Sequence, residues 1–403
     1  MTLPLGLTPK QWERLEYLLV HHHRIVVSVQ LLDLSHNYLA DVSLKLLGGQ
    51  VSIDAQAEEY TRALSMELLD PKQELVLDGD APEDGSIYYT RMFRVVYSVL
   101  SADRSERFDI PIFCGPVTKA ARNGPVMACE AVGKDKLSMS AVWRTKKYTK
   151  GMKKETVIRK ILVDLGGEAS KRIDIVNRKS DPVLGGDGMT VNRNTTAWKA
   201  VKKVAKSMGG AQAFYDGRGT ARVRDTPATV AHVFTDRKDL LSYPQVSYDA
   251  EAVVNAVDVT GAKVGKKEHK HTLHYRAVAP RRNALSPWSM GRNGKPRYLP
   301  EYLEDGELKT MGAVRSLARR RLKQALIESV DVQFECLPMP HLEEMDLCRV
   351  ESKRWSGTFR LHKMTIPLTA DGRATVGYLR QVTPNRRQIG IKNITKKRRK
   401  RAA

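Results

Sequence analysis

His269, His271 and His274 form a His-x-His-x-x-His run. Alternate residues of a strand point to one side, so His269 and His271 could share a metal ion. Lys266, Lys267 and Lys270 crowd the same stretch and favour an exposed, charged hairpin instead. Glu343, Glu344 and Asp346 gather three carboxylates, the groups of acid–base and glycosidase chemistry. Adjacency in sequence fixes no carboxylate separation, and the run reads as the polar edge of a strand. Gly185-Gly186-Asp187-Gly188 is glycine-rich. No Lys-Ser or Lys-Thr follows, and the run lies between loop segments, so it reads as a loop and not a phosphate cradle. There is no Gly-x-Ser-x-Gly elbow, no His-Glu-x-x-His and no Cys/His nucleophile pair. No catalytic, cofactor-binding or metal-ligating residue is therefore assigned. A metal- or carboxylate-dependent enzyme would rest on the two runs above alone.

Two cationic clusters remain. Arg315, Arg319 and Arg320, with Arg321 and Lys323, lie on a helical stretch. Lys396, Lys397, Arg398, Arg399, Lys400 and Arg401 form a basic tail too polar to fold alone. Either cluster could touch nucleic acid or an acidic partner. Neither carries the interleaved aromatics on which single-strand binders stack bases. The chain as a whole has 403 residues and a formal net charge of +23, which favours polyanionic partners or a strongly solvated surface. Cys114, Cys129, Cys336 and Cys348 have no zinc-ligand spacing and sit in apolar strand-like runs, as buried hydrophobes of a reducing compartment do. Asn194-Thr195-Thr196 and Asn393-Ile394-Thr395 fit the glycosylation triplet, which has no force without a secretory signal. No segment has the apolar length of a membrane span, and the expected place of synthesis is a cytoplasm.

The elements that would position these groups are mostly strands. Thr8-Pro9 predicts a short helix with Trp12, Leu15, Leu18 and Leu19 on its stripe, ending at His21-His22-His23. From Ile25 to about Trp143 the period is two. Leu64, Met66 and Leu68 alternate with Arg62, Ser65 and Glu67, and long strands are expected at Ile87–Leu100, Arg107–Val117 and Pro125–Val132. Helical spacing takes over at Val157–Leu165 and again after Thr195-Thr196, through Trp198, Val201, Ala205 and Met208. A hairpin follows, turning at Asp216–Gly219. Strands resume at Val246. The proline- and glycine-bearing excursion Pro280–Gly306 and a basic helix from about Thr310 to Glu328 interrupt them. Asp346–Val382 then reads as a finished antiparallel meander whose parity slips at Lys363, as a bulge would make it.

The order of these parts resembles the tail-hub, or baseplate-hub, proteins of long-tailed bacteriophages. Four segments carry the resemblance. They are Gly49–Asp54 with Arg62–Leu69; Pro111–Val117 with Pro125–Glu130 and Lys136-Leu137; Val157–Gly166 with Trp198–Gly209, Phe214–Gly217 and Ala221–Asp225; and Phe359–Leu368 with Ala370–Gly372 and Thr375–Leu379. The resemblance implies an α+β, mainly β fold with two antiparallel β-barrel domains and a small inserted α/β domain. The expected division is an N-terminal helical extension (1–24), a first barrel (25–150), the insert (151–240), a second barrel (241–383) interrupted at 280–328, and a basic tail (384–403). It further implies a non-enzymatic virion protein, with no cofactor, at the tail tip of a siphovirus-like particle, made in the host bacterial cytoplasm. Three subunits would form a homotrimeric ring whose six barrels match a hexameric tail tube while its other end stays threefold. Its partners would be tail-tube and distal tail proteins, the tape-measure protein, a central fibre or spike, and passing DNA. The competing expectation is a nucleic-acid-binding protein that uses the helix 310–328 and the basic tail.

Overall fold

The computed structural model describes residues 5–55, 57, 60–77, 86–175, 183–185, 188–208, 211–225, 227–248, 253–265, 271–306, 308–328, 330–353, 355–369 and 372–381. Strand makes up 45% of the structure and helix 18%, so the protein is mainly β. The chain divides into two compact units. One holds the residues through Tyr243 together with Phe334–Lys353 and Leu361–Val376; the other is built on Pro244–Gln333.

Thr8 opens α1 (Pro9–Val20) with a reciprocal cap. Its hydroxyl accepts from the Gln11 amide, and the Gln11 side chain accepts from the Thr8 amide. Leu15, Leu18 and Leu19 are buried, and the helix stops at His21. β1 (His23–Asp33), β2 (Tyr38–Asp41), β3 (Leu46–Asp54) and β4 (Arg62–Leu69) follow. In β4 the buried positions are Arg62, Leu64, Met66 and Leu68. Arg62 therefore belongs to the inward face, and its expected grouping with Ser65 and Glu67 is wrong by one position of parity.

β5 (Arg91–Ser101), β6 (Arg107–Asn123) and β7 (Val126–Val132) are the long apolar strands. The strand expected from Ile87 begins only at Arg91, because the Arg91 amide bonds the Tyr88 carbonyl (2.9 Å) in a turn. β6 pairs with β5 as far as Pro116 and with β7 from Val117 onward. Where it changes partner, a Cβ on Gly115 would lie 1.9 Å from the Val132 carbonyl oxygen, so only glycine fits. The register between β5 and β6 steps from Val95–Phe113 to Val96–Pro111, which leaves Ile112 out of the ladder.

Next come β8 (Lys146–Tyr148), α2 (Lys154–Asp164), β9 (Ile173–Ile175), β10 (Met189–Val191), α3 (Ala197–Ser207), the hairpin β11 (Gln212–Tyr215) and β12 (Ala221–Arg224), and β13 (Val230–Thr235). Thr196 caps α3 by accepting from the Lys199 amide (3.1 Å). Both helices lie where the spacing predicts them. Val157, Ile158, Ile161 and Leu162 of α2 share one core with Trp198, Val201 and Ala205 of α3. β9 pairs in parallel with β12.

In the second unit, β14 (Gln245–Tyr248) precedes β15 (Ala256–Val264), β16 (His271–Val278), β17 (Pro300–Glu304), α4 (Met311–Glu328) and β18 (Val330–Cys336). β15 is the middle strand, antiparallel to β16 and parallel to β17. α4 covers one face of this sheet, its Val314, Ala318 and Leu322 packing with Val257, Val259, Leu273 and Ala277. The helical spacing predicts Val314, Leu317, Ala318 and Ala325 inward; Val314, Ala318 and Ala325 are buried and Leu317 is half-buried, while Leu322 is a further inward position that the spacing does not single out.

The chain closes with β19 (Leu347–Glu351), β20 (Ser356–Pro367) and β21 (Ala374–Gln381). Burial along β20 changes phase between Leu361 and His362, one residue ahead of the slip expected at Lys363: Phe359 and Leu361 are buried before it, His362, Met364 and Ile366 after it. β19 pairs with β20 and β20 with β21, as expected, but the three strands do not stand alone: β19 also lies parallel to β13, and β20 also pairs with β3. Turns are written locally in a sequence, whereas strand partners remote in the chain are not. The resulting order in the first unit, β20-β3-β4-β7-β6-β5-β1-β2, is open at β2, and no closed barrel is formed among the described strands.

Candidate functional site

A dense cluster of buried ionisable groups lies inside the first unit, centred on Arg62. Its side chain is 3% exposed and faces the carboxylate of Glu343, which is 2% exposed. Arg62 Nε donates to the Tyr215 carbonyl (3.2 Å) and Nη1 to the Ile112 carbonyl (3.0 Å). The bulge in β6 explains the second contact, since it takes Ile112 out of the ladder. One guanidinium thus joins β4, β6, the β11–β12 hairpin and the segment before β19. Arg224 makes the second tie. Its Nη2 donates to the Glu344 carbonyl (2.7 Å) and to Asp346 Oδ1 (3.2 Å), and its guanidinium lies over the Phe214 ring at 4.8 Å. Asp346 Oδ2 in turn accepts from the Glu343 amide (3.0 Å).

Glu343, Glu344 and Asp346 are therefore fully enclosed, and the expected polar strand edge is corrected. Two cations from remote strands draw the three acids inward, which no local pattern announces. Glu344 Oε2 and Asp135 Oδ1 are buried without a hydrogen-bond partner among the described residues. Burial pushes the Glu344 carboxyl up to about 8 and the Asp135 carboxyl up to about 7. Beside them Lys134 Nζ pairs with Glu168 Oε1 (2.7 Å), and the Tyr215 hydroxyl donates to Glu168 Oε2 (3.0 Å). Burial lowers the Lys134 pKa and Glu168 opposes it.

The hairpin that delivers the Tyr215 carbonyl is shaped by Asp216, whose Oδ1 accepts from the amides of Arg218 (2.9 Å) and Thr220 (3.0 Å). Gly217 lets it approach β6: a Cβ there would sit 2.2 Å from the Pro111 carbonyl oxygen. Gly217→Ala is expected to lower stability by about 1–3 kcal/mol, read as a lower urea midpoint at unchanged slope.

The other expected residues are scattered. Cys114, Cys129, Cys336 and Cys348 are free and buried, as expected. His269 and the tail Lys396–Arg401 lie outside the described residues. His271 and His274 fall on opposite faces of β16 by alternation, and His274 bonds the Asp258 carboxylate. Among the described residues no group of His, Cys, Asp and Glu is placed to hold a metal ion. Gly188 has φ +84°, and its Cβ would meet the Tyr148 carbonyl oxygen at 2.1 Å, so this glycine serves a close backbone approach. Arg315 and Arg319 lie over the Tyr275 ring at 5.6 and 5.8 Å, and Arg321 pairs with Glu301 (2.8 Å); Arg320 points outward. The aromatic missing from that cluster in the sequence is supplied by β16. No described helix is long and apolar enough to cross a membrane.

No protein-family model and no curated protein matches the sequence. Solved structures do match. The tail protein from Neisseria meningitidis superposes with a TM-score of 0.59 at 11% identity, over 88% of this chain and 96% of that one. The 43 kDa tail protein of prophage MuSo2 from Shewanella oneidensis gives 0.58 at 11% identity, over 88% and 98%. Prophage tail protein gp18 from Listeria monocytogenes gives 0.51 at 9% identity, over 93% and 98%. The chain has the fold of these tail proteins. The similarity runs nearly end to end in all three, so it is not confined to one unit of this chain.

Proposed function

We propose that this chain is a structural virion protein, a tail-tip hub that acts as a subunit of a homotrimeric ring. The observation that supports this most is the match to three tail proteins over nearly the whole length of each. In this reading residues 25–150 and 241–383 act as paired β domains and 151–240 as the insert. Two similar domains per chain let three chains present a sixfold-like face to a hexameric tail tube while the ring stays threefold toward a central fibre or spike. The buried ties of Arg62 and Arg224 fit such a part, because a ring that transmits load needs its segments fixed to one another. The tail tube, the tape-measure protein and ejected DNA are its partners in this reading, and the work is mechanical, not catalytic.

Sizing by light scattering tests the ring: the expected mass is three times the 45.3 kDa of one chain. A face-specific variant separates assembly from folding. Thr375 is exposed on β21, and the Thr365 hydroxyl bonds its backbone carbonyl and amide. Thr375→Glu is expected to lose the trimer while keeping its thermal midpoint. Equal loss of both, or a stable monomer in the unaltered protein, contradicts the proposal.

A further inference from the structure

The excursion before β17 builds an exposed platform that the ring reading does not use. From His271 to Pro300 there is no Asp or Glu, but there are six cations: Arg276, Arg281, Arg282, Arg292, Lys295 and Arg297. The segment is firmly held. Asn255, fully buried, donates from Nδ2 to the Arg297 carbonyl (2.9 Å) and accepts from the Leu299 amide (2.7 Å). Ser286 Oγ is bonded to Ser289 Oγ (2.8 Å) and accepts from the Ser289 amide (3.1 Å).

The aromatic rings of this platform are in the open. Trp288 is 41%, Tyr298 44% and Tyr302 70% exposed. The Trp288 and Tyr298 rings meet edge-on at 6.3 Å, and the Arg281 guanidinium lies over Trp288 at 4.8 Å. Register extends the row onto the sheet. Asp258 of β15 stands opposite Arg276 of β16 and opposite Tyr302 of β17, so the three lie in line on one face. This is the face that α4 leaves uncovered, since α4 packs on Val257 and Val259. Asp258 is engaged by Arg276 (2.6 Å) and His274, which takes up the nearest negative charge.

We infer that this face, Arg276, Arg281, Trp288, Tyr298 and Tyr302, is a binding site for single-stranded nucleic acid. Rings that lie in the open offer stacking surfaces to bases, and guanidinium groups between them pair with phosphates. A duplex hides its base faces, and an aliphatic or purely sulfated polyanion offers none. The exposed rings beside the cations select a nucleic acid over an acidic protein, which offers charge but no bases to stack. The inference goes beyond the ring proposal and is independent of it, because the site is complete within one chain.

The test is fluorescence anisotropy with a labelled oligothymidine of about 20 nucleotides and the full chain. The expected result is salt-sensitive binding that a duplex of equal length and dextran sulfate compete for at least about tenfold less well. Trp288→Ala/Tyr302→Ala is expected to lower affinity by about tenfold or more, and Tyr302→Ser, a change on the strand surface that leaves folding intact, by about fivefold. Arg315→Ala/Arg319→Ala, on the covered side of the sheet, is expected to change it far less. Equal binding by the duplex or by dextran sulfate overturns the inference, as do aromatic variants that bind like the unaltered chain. The oligomeric mass does not enter this readout, so the two proposals fail separately.

Discussion

Arg62→Ala is expected to destabilise the first unit by about 3–5 kcal/mol, a large share of the roughly 5–15 kcal/mol that keeps a domain folded. The loss comes from three sides at once. Glu343 would keep a buried charge with no counter-ion, and the Tyr215 and Ile112 carbonyls would lose their donor. Arg62→Lys should recover little, because one ammonium on a flexible stem cannot fill a planar fork aimed at three acceptors. Glu343→Gln should be milder, since it removes a buried charge and leaves an acceptor for Arg62. Paired with Arg62→Ala it should show non-additive losses in a double-mutant cycle. Denaturant midpoints measure all of these. A loss under 1 kcal/mol for Arg62→Ala would mean that water replaces the guanidinium, and that the segment before β19 is held by something else.

Stability is expected to fall as pH rises from about 6.5 to 8.5, by roughly 2–3 kcal/mol. The two acids whose pKa burial raises, Glu344 to about 8 and Asp135 to about 7, set the sign. A carboxyl with a raised folded pKa keeps its proton in the native state after the unfolded chain has lost it. Its contribution is complete below the unfolded pKa, near 4, and is gone once pH has risen through the folded value. Two imidazoles, one half-buried and one buried, act the other way at lower pH. Burial holds His36 and His341 at about 3, so the unfolded chain takes up their protons first below about 6.5. Between pH 4.5 and 6.5 the opposing pairs nearly offset, and the curve should be flat there. Thermal melts across this range give the profile. Glu344→Gln should flatten its alkaline limb, whereas an unaltered or rising limb would show that Glu344 is ionised in the native state.

Local rules made much of the fold legible. Thr8-Pro9 and Thr196 announce helix starts because capping is chemistry between near neighbours. The phase slip in β20 could be read because side-chain direction alternates strictly. The polar centre was hidden for the opposite reason. Glu343, Glu344 and Asp346 look like surface acids until Arg62 and Arg224 arrive from segments more than a hundred residues away. One signal was available: Arg62 has the same parity as Leu64, Met66 and Leu68, and a cation in phase with a buried face must find a buried partner. The parallel pairing of β13 with β19 left no such mark. The platform on β17 was hidden in a different way. Trp288, Tyr298 and Tyr302 are spread through a proline-rich stretch, and only the register of β15 with β16 and β17 aligns Tyr302 with Arg276.

Imaging of the assembled particle by electron cryo-microscopy tests the tail-tip proposal most directly. The expected image is a closed threefold ring of this chain at the tail tip, with two β domains from each copy giving a sixfold-like outline toward the tube. A protein found as a monomer and absent from purified tails would contradict it.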